Sequence, residues 1–268
     1  MELKILSPQN TETGKKKLPK QFEEPIRPDL IKRAVEAIQS HNRQQYGSDP
    51  RAGLKHSADL SKRRRKYRGS YGHGISRVPR KITSRRGDQF NWTAAIVPGV
   101  VGGRKAHPPK AEKIFSKKIN AKERKKAICS AIAATMNKEF VAERGHALPD
   151  KYPFIISNDF EKMDKTKAIA DTLNKLGLDK DLARASKKKV RAGKGKARGR
   201  KYKKSKSALI VVSDKCKLLK AASNIPGIEV VEVKNINAEL LAPGAVPGRL
   251  TLFTDSAVEK LEKEKLFM

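Results

Sequence analysis

The stretch from Lys62 to Lys110 constrains this chain most, because it is long, strongly basic and without a regular apolar pattern. It holds fourteen Lys or Arg and one acid, Asp88, so its formal charge is +13. Its apolar residues show neither a helical nor a strand period, and helix-like segments lie on both sides of it. A loop of this length within a compact domain is uncommon and is usually functional or disordered. Since its charges repel one another in water, we expect a polyanion to surround it, and RNA is the first candidate.

A second segment, residues 187–206, has twelve basic residues and no acid. Together the two segments carry +25 of the net +33 in 69 of the 268 residues, whereas residues 207–268 have no net charge. We therefore predict a near-neutral globular domain formed by residues 1–45 and 115–268. Residues 46–114 are predicted to form an extended loop inserted into it, and residues 187–206 a basic, Gly-rich segment within it.

Outside these segments, apolar runs alternate with helical patterns. The predicted strands are Glu2–Leu6 at an edge, Phe154–Ile156, Ala208–Ser213, Ile228–Val233 and Leu250–Phe253. Strands that alternate with helices predict an α/β fold, with a parallel sheet flanked by helices on both faces in a Rossmann-like three-layer arrangement. Residues 7–20 are polar and are predicted to be a loop.

The helices are predicted from apolar residues at three- and four-residue spacing and from capping residues. One begins at Pro28, and another follows Asn120-Ala-Lys-Glu123, which has the form of a capping box, and continues on one face to Phe140. Further helices are expected at residues 165–176, 214–222 and 256–265, the last with Asp255 as its N-cap. A single helical turn is expected at residues 237–241.

The remaining motifs argue against catalysis and metal binding. Cys129 and Cys216 each stand alone, so we expect core or near-core thiols and no metal site. Residues 193–199 superficially resemble a phosphate loop, but they precede a strand and no Ser or Thr follows a Gly-Lys pair. No catalytic constellation is present, and no cofactor is expected. Without a signal peptide or an apolar run of about 18 residues, a cytoplasmic protein with no membrane partner is expected.

Aromatic residues lie among the charges of the first segment, at Tyr67, Tyr71, Phe90 and Trp92. Each could stack on an unpaired base. Alternatively, Trp92 could pack on Val97 and Val100 as a small local cluster. Both interpretations remain open from the sequence, as do two rival functions, an RNA-modifying enzyme with basic arms and a free RNA chaperone.

Four motifs together resemble one known family. They are GGRKAHPPK at residues 102–110, AKERKKAICSAIAAT at 121–135, GKGKARGR at 193–200 and GAVPGRLTLFTDSAVEKL at 244–261. The chain is similar over nearly its whole length to the large-subunit ribosomal protein L-four family in its archaeal and eukaryotic form. Its length favours the archaeal form.

The resemblance implies a structural constituent of the large ribosomal subunit that binds large-subunit rRNA early in assembly. It also implies that the long loop helps to form the wall of the polypeptide exit tunnel, with its tip near residues 77–92. The implied partners are large-subunit rRNA, neighbouring large-subunit ribosomal proteins and the nascent polypeptide. Where bacterial members have a KGTGRAR-like run at the tip, this chain has SRRGDQFNW at residues 84–92.

Two sets of candidate residues follow. The rRNA-binding candidates share positive charge, an aromatic ring or backbone freedom: Lys62, Arg63, Arg64, Arg65, Lys66, Tyr67, Arg68, Tyr71, His73, Arg77, Arg80, Lys81, Arg85, Arg86, Trp92, Arg104, Lys105, His107, Lys110, Lys187, Lys188, Lys189, Arg191, Gly193, Lys194, Gly195, Lys196, Arg198, Arg200, Lys201 and Lys203. The tunnel-lining candidates that the resemblance implies are Arg77, Arg80, Arg85, Arg86, Gln89, Phe90 and Trp92.

Overall fold

A computed structural model describes residues 1–87 and 89–268, so Asp88 of the predicted loop tip lies outside the described residues. The chain divides into two units. The first comprises Met1–Asn42 and Lys117–Met268, and the second is Arg43–Ser116. No helix in the described part of the chain combines the length and the apolar character needed to cross a membrane.

Within the described residues the regular elements are eleven strands and eight α-helices. The strands are β1 (Glu2–Leu6), β2 (Glu12–Lys17), β3 (Ala58–Asp59), β4 (Arg80–Arg86), β5 (Gln89–Ala94), β6 (Ile155–Ile156), β7 (Lys189–Val190), β8 (Tyr202–Lys203), β9 (Leu209–Val212), β10 (Glu229–Glu232) and β11 (Thr251–Thr254). The helices are α1 (Pro28–His41), α2 (Ala121–Met136), α3 (Lys138–Glu143), α4 (Thr166–Lys175), α5 (Asp179–Ser186), α6 (Leu218–Ala221), α7 (Ala238–Leu241) and α8 (Asp255–Lys263).

A mostly parallel sheet organises the first unit. Its strand order is β10-β9-β11-β6-β1-β2, and every pairing is parallel except that of β1 with β2. In register, Phe253 of β11 lies between Val211 of β9 and Ile155 of β6. The predicted α/β class with a mostly parallel, helix-flanked sheet is therefore confirmed.

Successive residues of the central strands point into two separate hydrophobic clusters. Leu209 and Val211 join one cluster with α1, α2, α7 and α8, whereas Ile210 and Val212 join the other with α4 and α6. All four are fully buried. A strand buried on both faces reads as a continuous apolar run, which is why β9 is the clearest strand in the sequence.

Two strand predictions at the N-terminus were wrong. Residues 12–17 lie within the predicted loop but form β2, and β2 takes the edge position that was predicted for β1. The strand carries Lys15, Lys16 and Lys17 and is largely exposed, so it has no apolar alternation to reveal it. Lysine on an exposed edge strand also discourages pairing with another chain.

The helix predictions needed five corrections. The helix predicted to reach Phe140 ends at Met136, because Asn137 is extended and its side chain accepts a 2.9 Å hydrogen bond from the Glu139 N–H to begin α3. Asn120 precedes α2 without a capping side-chain hydrogen bond. Asp255 is the first residue of α8 and not its cap. Helix α6 is shorter than predicted, and α5 was not predicted at all.

The interpretation that the first basic segment has no strand pattern was also wrong. Strands β4 and β5 form an antiparallel hairpin, and β3 pairs with β4. Along β5, the half-buried Phe90 and Trp92 alternate with exposed Gln89 and Asn91. This alternation covers only the six residues of β5, whereas β4 is largely polar and exposed and shows no such pattern. In the second basic segment, β7 and β8 form a short antiparallel pair around a 3-10 turn at Lys194–Arg198.

A buried carboxylate connects the second basic segment to the core. Asp181 of α5 has no exposed surface. It accepts hydrogen bonds from Ser207 Oγ (2.5 Å), Arg184 Nε (2.9 Å) and the Ala147 N–H (3.2 Å), and it lies 3.3 Å from His146 Nδ1. Because Ser207 is the first buried residue after the exposed basic segment and lies two residues before β9, this network fixes the point at which that segment enters the sheet.

Arg249 also binds Ser207, through the backbone carbonyl rather than the side chain. Its Nε donates to the Ser207 carbonyl at 3.0 Å, and its Nη1 donates to Glu229 Oε2 at 2.5 Å and to the Leu240 carbonyl at 2.9 Å. Burial lowers the pKa of Arg249 to about 10, so the guanidinium remains charged at neutral pH. A buried charge of this kind is stable only with such partners.

Burial by itself would raise the pKa of Asp181, but hydrogen bonds from His146 and Ser207 and the charge of Arg184 hold that pKa at about 2, below its usual 3.8. A carboxyl with a lowered pKa stabilises the folded state at pH values above its unfolded pKa. This contribution is therefore complete above about pH 4 and is lost as the pH falls towards 2.

Asp181→Asn is expected to lower the free energy of unfolding by about 2 kcal/mol at pH 7, because it removes the charge that the network stabilises. The difference from the wild type should shrink by roughly half near pH 3. Urea unfolding followed by circular dichroism measures both values. Asp159→Asn is the matched control, since that carboxylate is 68% exposed and should change stability little. A loss at pH 3 as large as that at pH 7 would show that the charge is not the cause.

Two glycines have a left-handed backbone, and comparing alanine variants of the two distinguishes steric crowding from backbone strain. Gly248 has φ +90°, and an added Cβ would lie 2.5 Å from the Phe140 carbonyl oxygen, whereas Gly145 has φ +86° and open space around it. Gly145→Ala should cost about 1–2 kcal/mol from conformation alone. Gly248→Ala should cost a further 1–3 kcal/mol or so from overpacking. Equal losses in thermal unfolding of the two variants would contradict the crowding at Gly248.

Candidate nucleic-acid interface

Most cations of the first basic segment are open to solvent. Lys62 to Arg68 are all exposed, as are Arg77, Arg85 and Arg86. Among the described residues, no Lys or Arg between positions 62 and 110 lies within 4 Å of a carboxylate oxygen. Residues 62–110 therefore present a dense positive charge that no carboxylate of the described residues neutralises.

Arginine side chains and aromatic rings contact one another around the β4–β5 hairpin. Arg85 Nη1 donates a 2.8 Å hydrogen bond to the Tyr67 hydroxyl. The guanidinium of Arg80 lies 5.5 Å from the Trp92 ring centroid, and that of Arg77 lies 4.6 Å from the Tyr71 centroid. These contacts help to orient Trp92 on the hairpin and Tyr67 and Tyr71 in the segment that precedes it.

Tyr67, Phe90 and Trp92 form one aromatic row. The Tyr67 and Phe90 centroids are 5.2 Å apart with the rings edge to face, and the Phe90 and Trp92 centroids are 5.3 Å apart. The three rings line a cavity of about 390 Å³, whose other lining residues include Arg65, Lys66, Arg68 and His73. Trp92 thus has Phe90 and Arg80 as neighbours, and its stacking on a base stays a prediction.

The two ends of the second unit meet in another cation–aromatic cluster. Tyr46 and Phe115 stack with centroids 5.5 Å apart, and the Arg43 guanidinium lies 4.2 Å from the Phe115 centroid. Gly47 and Gly53 allow the close approach of the returning chain, since a Cβ on Gly47 would lie 2.2 Å from the Ala111 nitrogen. The sequence reasoning missed this cluster, although basic and aromatic residues at both ends of the insertion were a usable signal.

The second basic segment is a short hairpin with its charges outward. The residues from 187 to 206 are exposed except Arg191 and Gly195, which are half-buried. Arg191 Nε donates to the Arg200 carbonyl at 3.1 Å, and a Cβ on Gly195 would lie 2.9 Å from Arg191 Cδ. Arg191, predicted to bind RNA, therefore also shapes the hairpin. Lys188 and Lys201 lie 5.4 Å and 5.6 Å from the Tyr202 centroid.

The crevice beyond the carboxyl ends of the parallel strands is where open α/β sheets bind ligands. In this chain Glu161 fills that position. Its carboxylate accepts hydrogen bonds from the N–H and Oγ of Ser213, from Thr254 Oγ1 and from Ser256 Oγ. Burial opposes ionisation of Glu161, but these bonds lower its pKa overall. The donors that could face a phosphate are thus already occupied by an internal carboxylate.

The structure brings some of the predicted residues together and separates others. Around one cavity lie Arg65, Lys66, Tyr67, Arg68, His73, Phe90 and Trp92. Arg104 lies instead against the turn at Gly53, and His107 and Lys110 lie beside Tyr46 and Phe115. No cluster of three or more His, Cys, Asp or Glu suited to a metal occurs in the residues that the structure describes.

Comparison with known proteins agrees with the motif-based resemblance. The sequence model of the ribosomal protein L4/L1 family matches residues 16–264. The large ribosomal subunit protein uL4 of Nanoarchaeum equitans is 52% identical over 268 residues, which cover 100% of both chains. The uL4 proteins of Archaeoglobus fulgidus and Methanocaldococcus jannaschii are 46% and 50% identical, with coverage of 97% and 92% of this chain and 98% and 92% of theirs. The chain therefore belongs to the ribosomal protein L4/L1 family.

Proposed function

We propose that this protein is a structural constituent of the large ribosomal subunit and that it binds large-subunit rRNA. The observation that carries the proposal is the unneutralised charge. Of the twenty-six Lys and Arg in residues 62–110 and 187–206, only Lys206 pairs with a carboxylate among the described residues. The family and the uL4 names of its archaeal relatives support the same assignment.

The mechanism is electrostatic. Each Lys or Arg that contacts a phosphate releases condensed counterions, so the affinity for RNA falls steeply as salt rises. Backbone flexibility at Gly193 and Gly199, both with positive φ, allows the second segment to follow a phosphate chain closely. Neighbouring large-subunit proteins are further partners.

Two rival functions are not favoured. An RNA-modifying enzyme needs a cofactor or substrate site in the crevice that the Glu161 carboxylate fills. A free RNA chaperone does not account for full-length similarity at 46–52% identity to large-subunit proteins.

We further propose that residues 46–114 act as an extended loop that penetrates rRNA and reaches the wall of the polypeptide exit tunnel. The tip would lie near residues 77–92, which include most of the β4–β5 hairpin, with Arg77, Arg80, Arg85, Arg86, Gln89, Phe90 and Trp92 facing the tunnel and the nascent chain. We also propose that residues 1–45 and 115–268 form a three-layer, Rossmann-like domain. The helix-flanked sheet supports this last assignment.

Replacing Lys187, Lys188 and Lys189 with alanine should weaken binding to large-subunit rRNA and flatten its salt dependence. Three lost phosphate contacts reduce the slope of log K against log salt by about 2–3. Filter binding of the full chain to rRNA between low and moderate salt measures the slope.

The matched control removes the same charge from lysines that already have partners. Lys4, Lys162 and Lys263 each lie within 3.3 Å of a carboxylate oxygen, so their joint replacement should leave the slope nearly unchanged. Equal slopes for the two triple variants would count against the basic segment, and a wild-type affinity independent of salt would rule out the mechanism.

A photo-crosslinking amino acid at Gln89 should join the nascent chain in stalled ribosomes, because Gln89 lies in the proposed tip. The tagged protein, expressed in an archaeal host, should first co-sediment with large subunits through high salt. Val101, fully exposed but outside the hairpin, provides the control position. Co-sedimentation with no crosslink from Gln89 would retain the ribosomal assignment and reject the tip.

A further inference from the structure

We propose that the cavity between the turn at residues 65–69 and strand β5 is a receptor for one unstacked RNA nucleotide. This inference rests on the proposed function, since it presumes that the second unit meets RNA. It assigns a particular kind of ligand, a bulged or unpaired nucleotide, to a particular place.

The size and shape of the cavity suit a single nucleotide. Its volume of about 390 Å³ lies within the roughly 300–1,000 Å³ of small-molecule sites. Tyr67, Phe90 and Trp92 all line it, and Tyr67 is still 50% exposed. The rings therefore retain accessible surface on which a base can stack.

The orientation of Tyr67 is set before any ligand arrives. Arg85 of β4 donates a hydrogen bond to its hydroxyl at 2.8 Å, and Phe90 of β5 packs edge to face against its ring. A ring held from two sides loses little freedom when a base binds, and such preorganisation favours affinity.

The turn that carries Tyr67 also supplies positive charge to the cavity wall, and the Arg68 guanidinium lies 5.5 Å from the Tyr67 ring centroid. Arg65, Lys66 and Arg68 are exposed and have no carboxylate partner among the described residues. A phosphate attached to a stacked base would lie next to these side chains. His73 adds a ring that can donate or accept a hydrogen bond at a base edge or a ribose hydroxyl.

The turn that carries these cations has an unusual backbone. Arg65 and Arg68 have φ values of +53° and +60°, in the left-handed region that non-glycine residues rarely adopt. The Gly69 N–H donates to the Lys66 carbonyl at 2.9 Å and closes the turn, and Gly69 bridges to Ser61. Strain maintained in this way is concentrated at ligand sites in proteins.

The aromatic rings and the cations that line the cavity together indicate the class of ligand. A base within a duplex cannot place its face against the aromatic row, because its neighbours cover it, whereas an unpaired or bulged base can. Stacking of one base on an aromatic side chain changes affinity by about 5- to 150-fold. An acidic peptide would use the cations but would leave the rings without a planar partner.

Trp92 is the only tryptophan of the chain, so its fluorescence reports this cavity directly. The probes are one RNA duplex with a single-nucleotide bulge and the same duplex without it, each mixed with the full chain. We expect the bulged RNA to quench Trp92 and to bind at least fivefold more tightly than the regular duplex.

Tyr67→Ala should abolish most of this preference, and Tyr46→Ala should retain it. The two tyrosines are closely matched, since they are 50% and 53% exposed and each has an arginine guanidinium 5.5 Å from its ring centroid. Neither substitution removes a buried side chain, and circular dichroism of both variants checks the fold.

The outcomes separate this inference from the proposed function. If both RNAs bind with steep salt dependence while the wild type shows no preference for the bulged RNA, or shows one that Tyr67→Ala retains, the cavity proposal fails. In either case the rRNA-binding function stands. If neither RNA binds in a salt-dependent way, the function itself fails. Quenching of Trp92 by an acidic peptide, with none by bulged RNA, would assign the cavity to a protein partner and overturn the proposal.

Discussion

Repulsion among twenty-six cations in two short segments is the constraint on which the rest of this structure depends. No hydrophobic core can hold such charge, because the cost of removing unpaired ions from water exceeds any gain from packing. Both segments therefore lie at the surface, and the sheet is built from the near-neutral remainder. The protein keeps its core and its charge in separate parts of the chain.

Local order within the charged segments comes from interactions that tolerate exposure. Antiparallel backbone pairing forms the β4–β5 and β7–β8 hairpins, and guanidinium groups lie over Tyr71 and Trp92. Each cation–π contact at an exposed site contributes only about 0.5–1 kcal/mol. Such contacts orient side chains without neutralising them, which leaves the charge available to a polyanion.

The core of the first unit fixes the position at which the second basic segment joins the sheet. Ser207 is bonded through its hydroxyl to Asp181 and through its carbonyl to Arg249, both fully buried. The exposed, charged hairpin before it and the buried strand after it are thus joined at one determined position. Glu161 plays a comparable internal role at the strand ends, where its carboxylate satisfies donors that in related architectures face a ligand.

The sequence by itself determined the separation of charge from core and the buried elements, because fully apolar runs such as residues 208–212 and the face of α1 can be stable only inside. It did not reveal β2, β4 or α5, whose residues are largely polar and whose pairing is set by neighbours distant in the chain. The tertiary structure alone decided which side chains meet, such as Asp181 with Ser207 and Tyr67 with Phe90. The physical reason is that periodicity records how each residue faces the core, whereas contacts between distant segments depend on the register and packing of the whole fold.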